Sequence, residues 1–183
     1  MILPIYTYGN SVLRKKSEPI DSSFTNVKEL VENMFETMHN AGGVGLAAPQ
    51  IGEDIRVFVI DFAKIEDKKD PELSKFCISM INPEILETSE EISTEEEGCL
   101  SVPGVNENVP RAKHIKIKYF DTDFNEHIEK FSDYRARVMQ HEYDHLEGTM
   151  FTDKVSPLRR QLIKSKLNNI IKGKTNCKYK TVK

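Results

Sequence analysis

Apolar residues recur at helical spacing across residues 26–40. Val27, Leu30, Val31, Met34, Phe35 and Met38 line one face of an otherwise charged segment, as in a helix packed on a core. Thr25 or Asn26 stands where a cap belongs, and Gly42 or Gly43 where such a helix ends. Residues 56–61 (Arg-Val-Phe-Val-Ile-Asp) read as a buried strand. The charged stretch 64–75 reads as a surface loop, and residues 78–81 and 84–86 as strands around an Asn82-Pro83 turn. From 114 to 121, Ile115, Ile117 and Tyr119 alternate with lysines, the signature of a half-exposed strand. Residues 121–125 then form a hairpin turn, and 126–131 the return strand.

Two more helices follow. In residues 133–146, Tyr134, Val138, His141 and His145 share one face. The last helix has Ser156 as cap, Pro157 in its first turn and Gly173 beyond its end. Leu158, Leu162, Ile163, Leu167, Ile170 and Ile171 give it an apolar side. No internal repeat stands out. A helix, then strands, then two helices predicts a single mixed α+β domain.

Composition supports one soluble core, with 183 residues, 38% hydrophobic and 30% charged. No apolar run approaches the roughly 18 residues that would span a bilayer. The start, Met1-Ile2-Leu3-Pro4-Ile5, lacks a basic flank and a small-residue cleavage site. A cytoplasmic protein with no membrane partner is therefore expected. Charge changes the picture of the tail. Residues 154–183 carry ten Lys/Arg and no Asp/Glu, leaving 16 basic against 29 acidic residues in 1–153, a net −13. A basic tail on an acidic body suits an anionic partner such as RNA, or else a solvated helix face with a frayed end.

Chemistry concentrates in His141-Glu142-Tyr143-Asp144-His145. On a helix, His141 and His145 lie one turn apart and can direct two imidazoles at one metal ion, with Glu142 as general base. Asp144 projects about 100° away from His145 and more plainly orients a neighbour. A hydrolytic site needs a third protein ligand and an open position for water. Cys99, in Glu97-Gly98-Cys99-Leu100-Ser101, is the best candidate, since a thiolate there would bind metal well. Cys77 and Cys177 lack the glycine-rich setting that lets backbone approach a substrate. Gln50 and the Leu100 N–H are candidate donors to an oxyanion.

Three motifs thus stand in order: Gly43-Val44-Gly45-Leu46-Ala47-Ala48-Pro49-Gln50, Glu97-Gly98-Cys99-Leu100-Ser101 and Gln140-His141-Glu142-Tyr143-Asp144-His145. Together they closely resemble the signature motifs of the peptide deformylases, and Val12-Leu13-Arg14 and Val109-Pro110-Arg111 also look like that family. The resemblance implies an α+β fold of antiparallel sheets around a central metal-binding helix, with a C-terminal helix. It implies hydrolysis of the N-formyl group on the formyl-methionine of newly made polypeptides, an N-terminal processing step of translation that releases formate. Cys99, His141 and His145 would be metal ligands and Glu142 the acid/base. Gln50 and the Leu100 N–H would stabilise the formyl oxygen, and Val44 and Gly45 would form part of the peptide groove. Iron(II) is the implied native metal, with zinc giving a weaker enzyme, and nickel or cobalt also able to fill the site. The same resemblance implies that the basic helix within 156–183 contacts the ribosome; no DNA partner is implied. Asp133-Tyr134-Arg135 departs from the glycine and aliphatic residues expected there, which would reshape a methionine pocket lined by Tyr134 and Val138.

Two other readings compete. A metallopeptidase would want a third His or Glu ligand downstream, but no histidine follows His145. A binding module with a structural metal would want a fourth ligand, for which Cys77 is available.

Overall fold

The computed structural model describes residues 1–67 and 70–183. Its elements, in chain order, are β1 (Ile5–Tyr6), α1 (Val27–Ala41), β2 (Gly45–Ala47), β3 (Val57–Asp61), β4 (Cys77–Thr88), β5 (Ile92–Glu97), β6 (Glu107–Ala112), β7 (His114–Phe120), β8 (Glu126–Ser132), α2 (Asp133–Leu146), α3 (Pro157–Ile171) and β9 (Thr181–Val182). The order β2-β3-β4-β7-β8 makes an antiparallel five-stranded sheet; β5 and β6 form a separate antiparallel pair.

β3 explains why the sheet has two covered faces. Val57, Phe58, Val59 and Ile60 are all fully buried, and in a strand successive side chains point to opposite faces. Phe58 and Ile60 join Met80, Ile117, Val138 and Met139 in a core that includes α2. Val57 and Val59 join Val31, Met34 and Met38 of α1 and Leu46 of β2. The expected α1 stripe is therefore core. Its cap is not as expected: Asn26 occupies the cap position in a left-handed conformation, and its side chain makes no capping bond. Gly42 ends the helix at φ 74°.

Asn82-Pro83 is not a turn. β4 runs through it as one 12-residue strand, with a register shift between Ile81 and Glu84 against β7. Asn82 takes φ 48°, and its amide exchanges two hydrogen bonds with the Ile20 backbone, at 2.9 and 2.6 Å. A bulge absorbs a proline that a regular ladder would reject. The surface loop at 64–75 is also only partly a surface feature. Lys68 and Lys69 lie outside the described residues, and Leu73 is buried in the core beside Phe62.

α2 begins at Asp133, whose φ of 54° is the conformation for which glycine is favoured and Asp is among the better substitutes. The departure from glycine at this position thus keeps the backbone path. Arg135 ties the helix to the segment between β3 and β4 through Asp70 at 2.5 Å and stacks on Phe76. Gly148, at φ 68°, turns the chain away after α2.

The last third of the chain corrects two expectations. The apolar side of α3 is divided: Ile163, Leu167 and Ile170 are buried on Val102, Val105 and Phe151, whereas Leu158, Leu162 and Ile171 are exposed. The end is not frayed. β9 pairs in parallel with β1, through Ile5 N–H to the Lys180 carbonyl and Thr7 N–H to the Val182 carbonyl, each 2.9 Å. Among the described residues no helix is long and apolar enough to cross a membrane.

Gly148 supplies a test of this frame. A Cβ there would lie 2.6 Å from the Arg14 carbonyl oxygen, in a backbone conformation that side chains disfavour. Gly148→Ala is expected to cost roughly 2 kcal/mol or more in urea denaturation; an unchanged midpoint would contradict the close packing of this turn.

Candidate metal centre

α2 carries Ala136, Arg137, Val138, Met139, His141, Glu142 and His145 into the interior. A helix with this many polar residues indoors needs partners for each, because an unpaired buried polar group is costly. The loop after β5 supplies the first of them. Cys99, His141 and His145 each offer a ligand atom, and these atoms lie within 4.8 Å of one another. Cys99 Sγ is 3.3 Å from His145 Nε2. Cys77, by contrast, is exposed at the start of β4 and is not a member of this group.

Glu97 holds the assembly. Its carboxylate accepts hydrogen bonds from Arg111 Nε and Nη2 at 2.6 and 2.9 Å and from Arg137 Nη1 at 2.7 Å, and it meets His141 Nδ1 at 2.9 Å. Burial alone would raise its pKa, but His141 and the Arg111 guanidinium outweigh it and hold the carboxyl at about 2. Asp144 takes the other side of Arg111, at 2.8 Å, which is the orienting role its direction on the helix suggested. With Nδ1 of His141 engaged by Glu97, Nε2 is left to face the ligand cluster.

Local electrostatics suit a cation. Burial disfavours a proton on His141, yet hydrogen bonds to Cys99 and Glu97 lift the ring to about 10, so anionic neighbours draw positive charge to this point. Burial, with the nearby His141 charge, pushes His145 well below its ordinary value. Burial raises Glu142 to about 7, and its Oε2 has no hydrogen-bond partner within the protein. A soft-plus-imidazole donor set beside an unpartnered carboxylate oxygen fits a divalent ion with one open position for water.

The remaining expected residues gather here. A cavity of about 440 Å³ is lined by Val44, Gly45, Gln50, Leu100, Tyr134 and Val138 together with Cys99, His141 and Glu142. Gly45 leaves the Glu142 carboxylate its place, since a Cβ on it would displace Glu142 Oε1. Gln50 is buried and doubly fixed: its Oε1 accepts from Ala47 N–H at 2.8 Å, and its Nε2 donates to Ser101 Oγ at 3.1 Å and approaches Cys99 Sγ at 3.5 Å. Tyr134 packs on Phe62 with ring centroids 5.1 Å apart. Sequence reasoning missed the buried cations. Arg137 stands four residues before His141 on the same helix, and an arginine on an inward face signals a carboxylate partner.

Two imidazoles on a buried helix, a cysteine sulfur from a facing loop and a buried carboxylate beside them make a possible metal site of the kind a metallohydrolase uses. Comparison with known proteins identifies which. The family model described as polypeptide deformylase matches residues 2–161. The peptide deformylase of Christiangramia forsetii is 49% identical, covering 98% of this chain and 95% of that protein; that of Cytophaga hutchinsonii is 46% identical, covering 98% and 96%. The crystal structure of peptide deformylase from Thermus thermophilus superposes with a TM-score of 0.84 at 38% identity, covering 94% of this chain and 99% of that one. The chain belongs to the polypeptide deformylase family, metal-dependent enzymes that remove N-formyl groups from nascent peptides.

Glu97→Gln would leave Arg111 and Arg137 buried without their shared counter-charge. The expected loss is about 3–5 kcal/mol in chemical denaturation, and a loss under about 1 kcal/mol would show that the network does not hold the fold.

Proposed function

We propose that Cys99, His141 and His145 hold the catalytic metal ion and that Glu142 moves the proton in deformylation. The observation that carries this reading is the buried, unpartnered Oε2 of Glu142 beside three convergent donors. A bound divalent ion supplies Lewis acidity, making water a nucleophile near neutral pH and polarising the formyl carbonyl. Glu142, raised to about 7 by burial, accepts a proton from the attacking water and returns it to the leaving amine. Gln50 Nε2 and the Leu100 N–H stabilise the developing oxyanion. Val44, Gly45, Tyr134 and Val138 receive the formyl-methionine end, with the Tyr134 ring narrowing the pocket. Iron(II) is the metal favoured by the family resemblance, with zinc, nickel or cobalt as substitutes in purified protein; imidazole ligands suit all of them.

The whole chain, 1–183, acts as one catalytic domain working in the cytoplasm on emerging polypeptides, and the basic face of residues 156–183 contacts the ribosome. Lys164, Lys166 and Lys172 are exposed on or just after α3, where they suit a phosphate-rich surface. Deleting the helix would remove core residues Ile163, Leu167 and Ile170. Exchanging these three lysines for Glu is the cleaner test, with ribosome co-sedimentation expected to weaken sharply and unchanged binding removing the contact.

Formate release from a formyl-Met-Ala-Ser peptide tests the central assignment. The protein would be prepared without oxygen and loaded with iron(II) or nickel. Glu142→Ala is expected to lose about 10²–10⁴-fold in kcat while keeping one metal per chain, and full activity in this variant would exclude Glu142 as the proton carrier. Gly45→Ala is expected to displace the Glu142 carboxylate and cost roughly 10²-fold in kcat with metal content unchanged; wild-type kcat would show that the Glu142 position seen here is not the working one.

A further inference from the structure

The segment after α3 does more than close the fold. Residues 174–180 run from the end of α3 to β9 and pass over the mouth of the cavity, which Asn176, Cys177 and Tyr179 help to line. The matched family region ends at residue 161, so this strap lies outside it. Its path is fixed at both ends. At one, Gly173 takes φ 66° against the Lys183 side chain. At the other, the Lys180 and Val182 carbonyls pair with Ile5 and Thr7.

Between these anchors, the Tyr179 hydroxyl donates a 2.7 Å hydrogen bond to the Leu100 carbonyl. Its ring packs on the cluster that includes Leu100, Leu46 and Ala48. Leu100 is also constrained from its other side: Cys99 O accepts from Val102 N–H at 2.9 Å, and Ser101 O from Tyr8 N–H at 2.8 Å. Tyr179 thus holds the peptide plane after Leu100, while the plane before it, which carries the Leu100 N–H, is held through the Cys99 carbonyl; the strap acts on that N–H across the Leu100 Cα, by fixing the residue's backbone rotation.

Exposure gives the cavity a direction. Its metal end is buried at His141 and Glu142, whereas Asn176 is exposed. The rim is also exposed at Gly42, Glu96, Gly98 and Gly104, so a substrate whose formylated residue occupies the buried end passes its following residues out through a rim of which the strap forms one side.

We propose that the strap is a working wall of the cleft: Tyr179 positions the Leu100 peptide unit, and Asn176 and Cys177 flank the polypeptide beyond its formylated residue. The proposal rests on the deformylase reading above. Tyr179 touches no reacting atom and is a positioning residue. A loss of its hydroxyl lets the Leu100 unit shift against the developing oxyanion, which affects turnover more than binding. A bulky side chain at Asn176 obstructs only substrates long enough to reach it.

The test uses the full-length, metal-loaded protein with formyl-methionine amide, formyl-Met-Ala-Ser and a formylated hexapeptide. Tyr179→Phe is expected to lower kcat about tenfold on all three, with KM within about twofold and metal content unchanged. Asn176→Trp is expected to raise KM at least about fivefold on the hexapeptide and to leave formyl-methionine amide unaffected. Because Asn176 is exposed, this variant tests the wall even should Tyr179→Phe fail to fold. Wild-type kcat in folded Tyr179→Phe overturns the positioning role, and a KM for Asn176→Trp that does not depend on substrate length overturns the wall. Wild-type protein that releases no formate from any of the three brings down the deformylase reading itself, and the strap proposal with it.

Discussion

One buried carboxylate sets the conditions for everything around it. Glu97 closes β5, neutralises Arg111 from β6 and Arg137 from α2, and engages the far nitrogen of His141. Without it, Arg111 would keep only Asp144 and Arg137 only the more distant Glu95 as counter-charge, so two buried guanidiniums would lose their shared partner at a cost of several kcal/mol. With it, the β5–β6 pair, the Cys99 loop and α2 are tied together by one carboxylate. The residue that satisfies the cations also orients His141, a proposed ligand, so stability and site geometry rest on the same contact.

Packing supplies the rest of the precision. β3, buried on both faces, lies between α1 and α2, and β2 beside it brings Gly45 against Glu142. The glycine at that contact leaves the carboxylate in the space a side chain would take. Gln50 then bridges the segment after β2 to the Cys99 loop through Ala47 and Ser101. The groups proposed for proton transfer, oxyanion stabilisation and metal binding come from three distant stretches of chain, each held by backbone or side-chain bonds rather than by loop flexibility. Such preorganisation is what electrostatic catalysis requires.

Much of this was legible in the sequence, for reasons that are local. The His141–His145 spacing, the α1 stripe, the β7–β8 hairpin and the ends of α3 follow from periodicity and capping, which need only neighbouring residues. The three motifs carried the identity of the site. What was not legible depended on partners far along the chain. Asn82-Pro83 looked like a turn because the Ile20 backbone that accommodates the bulge is 62 positions away. A frayed tail stayed open as one of two readings because its partner, β1, lies at the opposite end of the sequence. Leu158 and Leu162 share a helix side with Ile163 and Leu167 in composition, but only contact with Val105 and Phe151 decides which of them is buried. Arg137 gave the clearest missed signal, as a charged residue on the inward face one turn before His141.

The central claim is that Cys99, His141 and His145 form a three-ligand centre with one position left for chemistry. X-ray absorption at the metal edge of the zinc-loaded, full-length protein addresses it directly. The expected result is one sulfur at about 2.3 Å with two imidazole nitrogens and one further light atom at about 2.0–2.1 Å. In Cys99→Ser the sulfur shell should vanish. A second sulfur, or a sulfur shell that survives Cys99→Ser, would describe a closed or different site and contradict the catalytic centre built here.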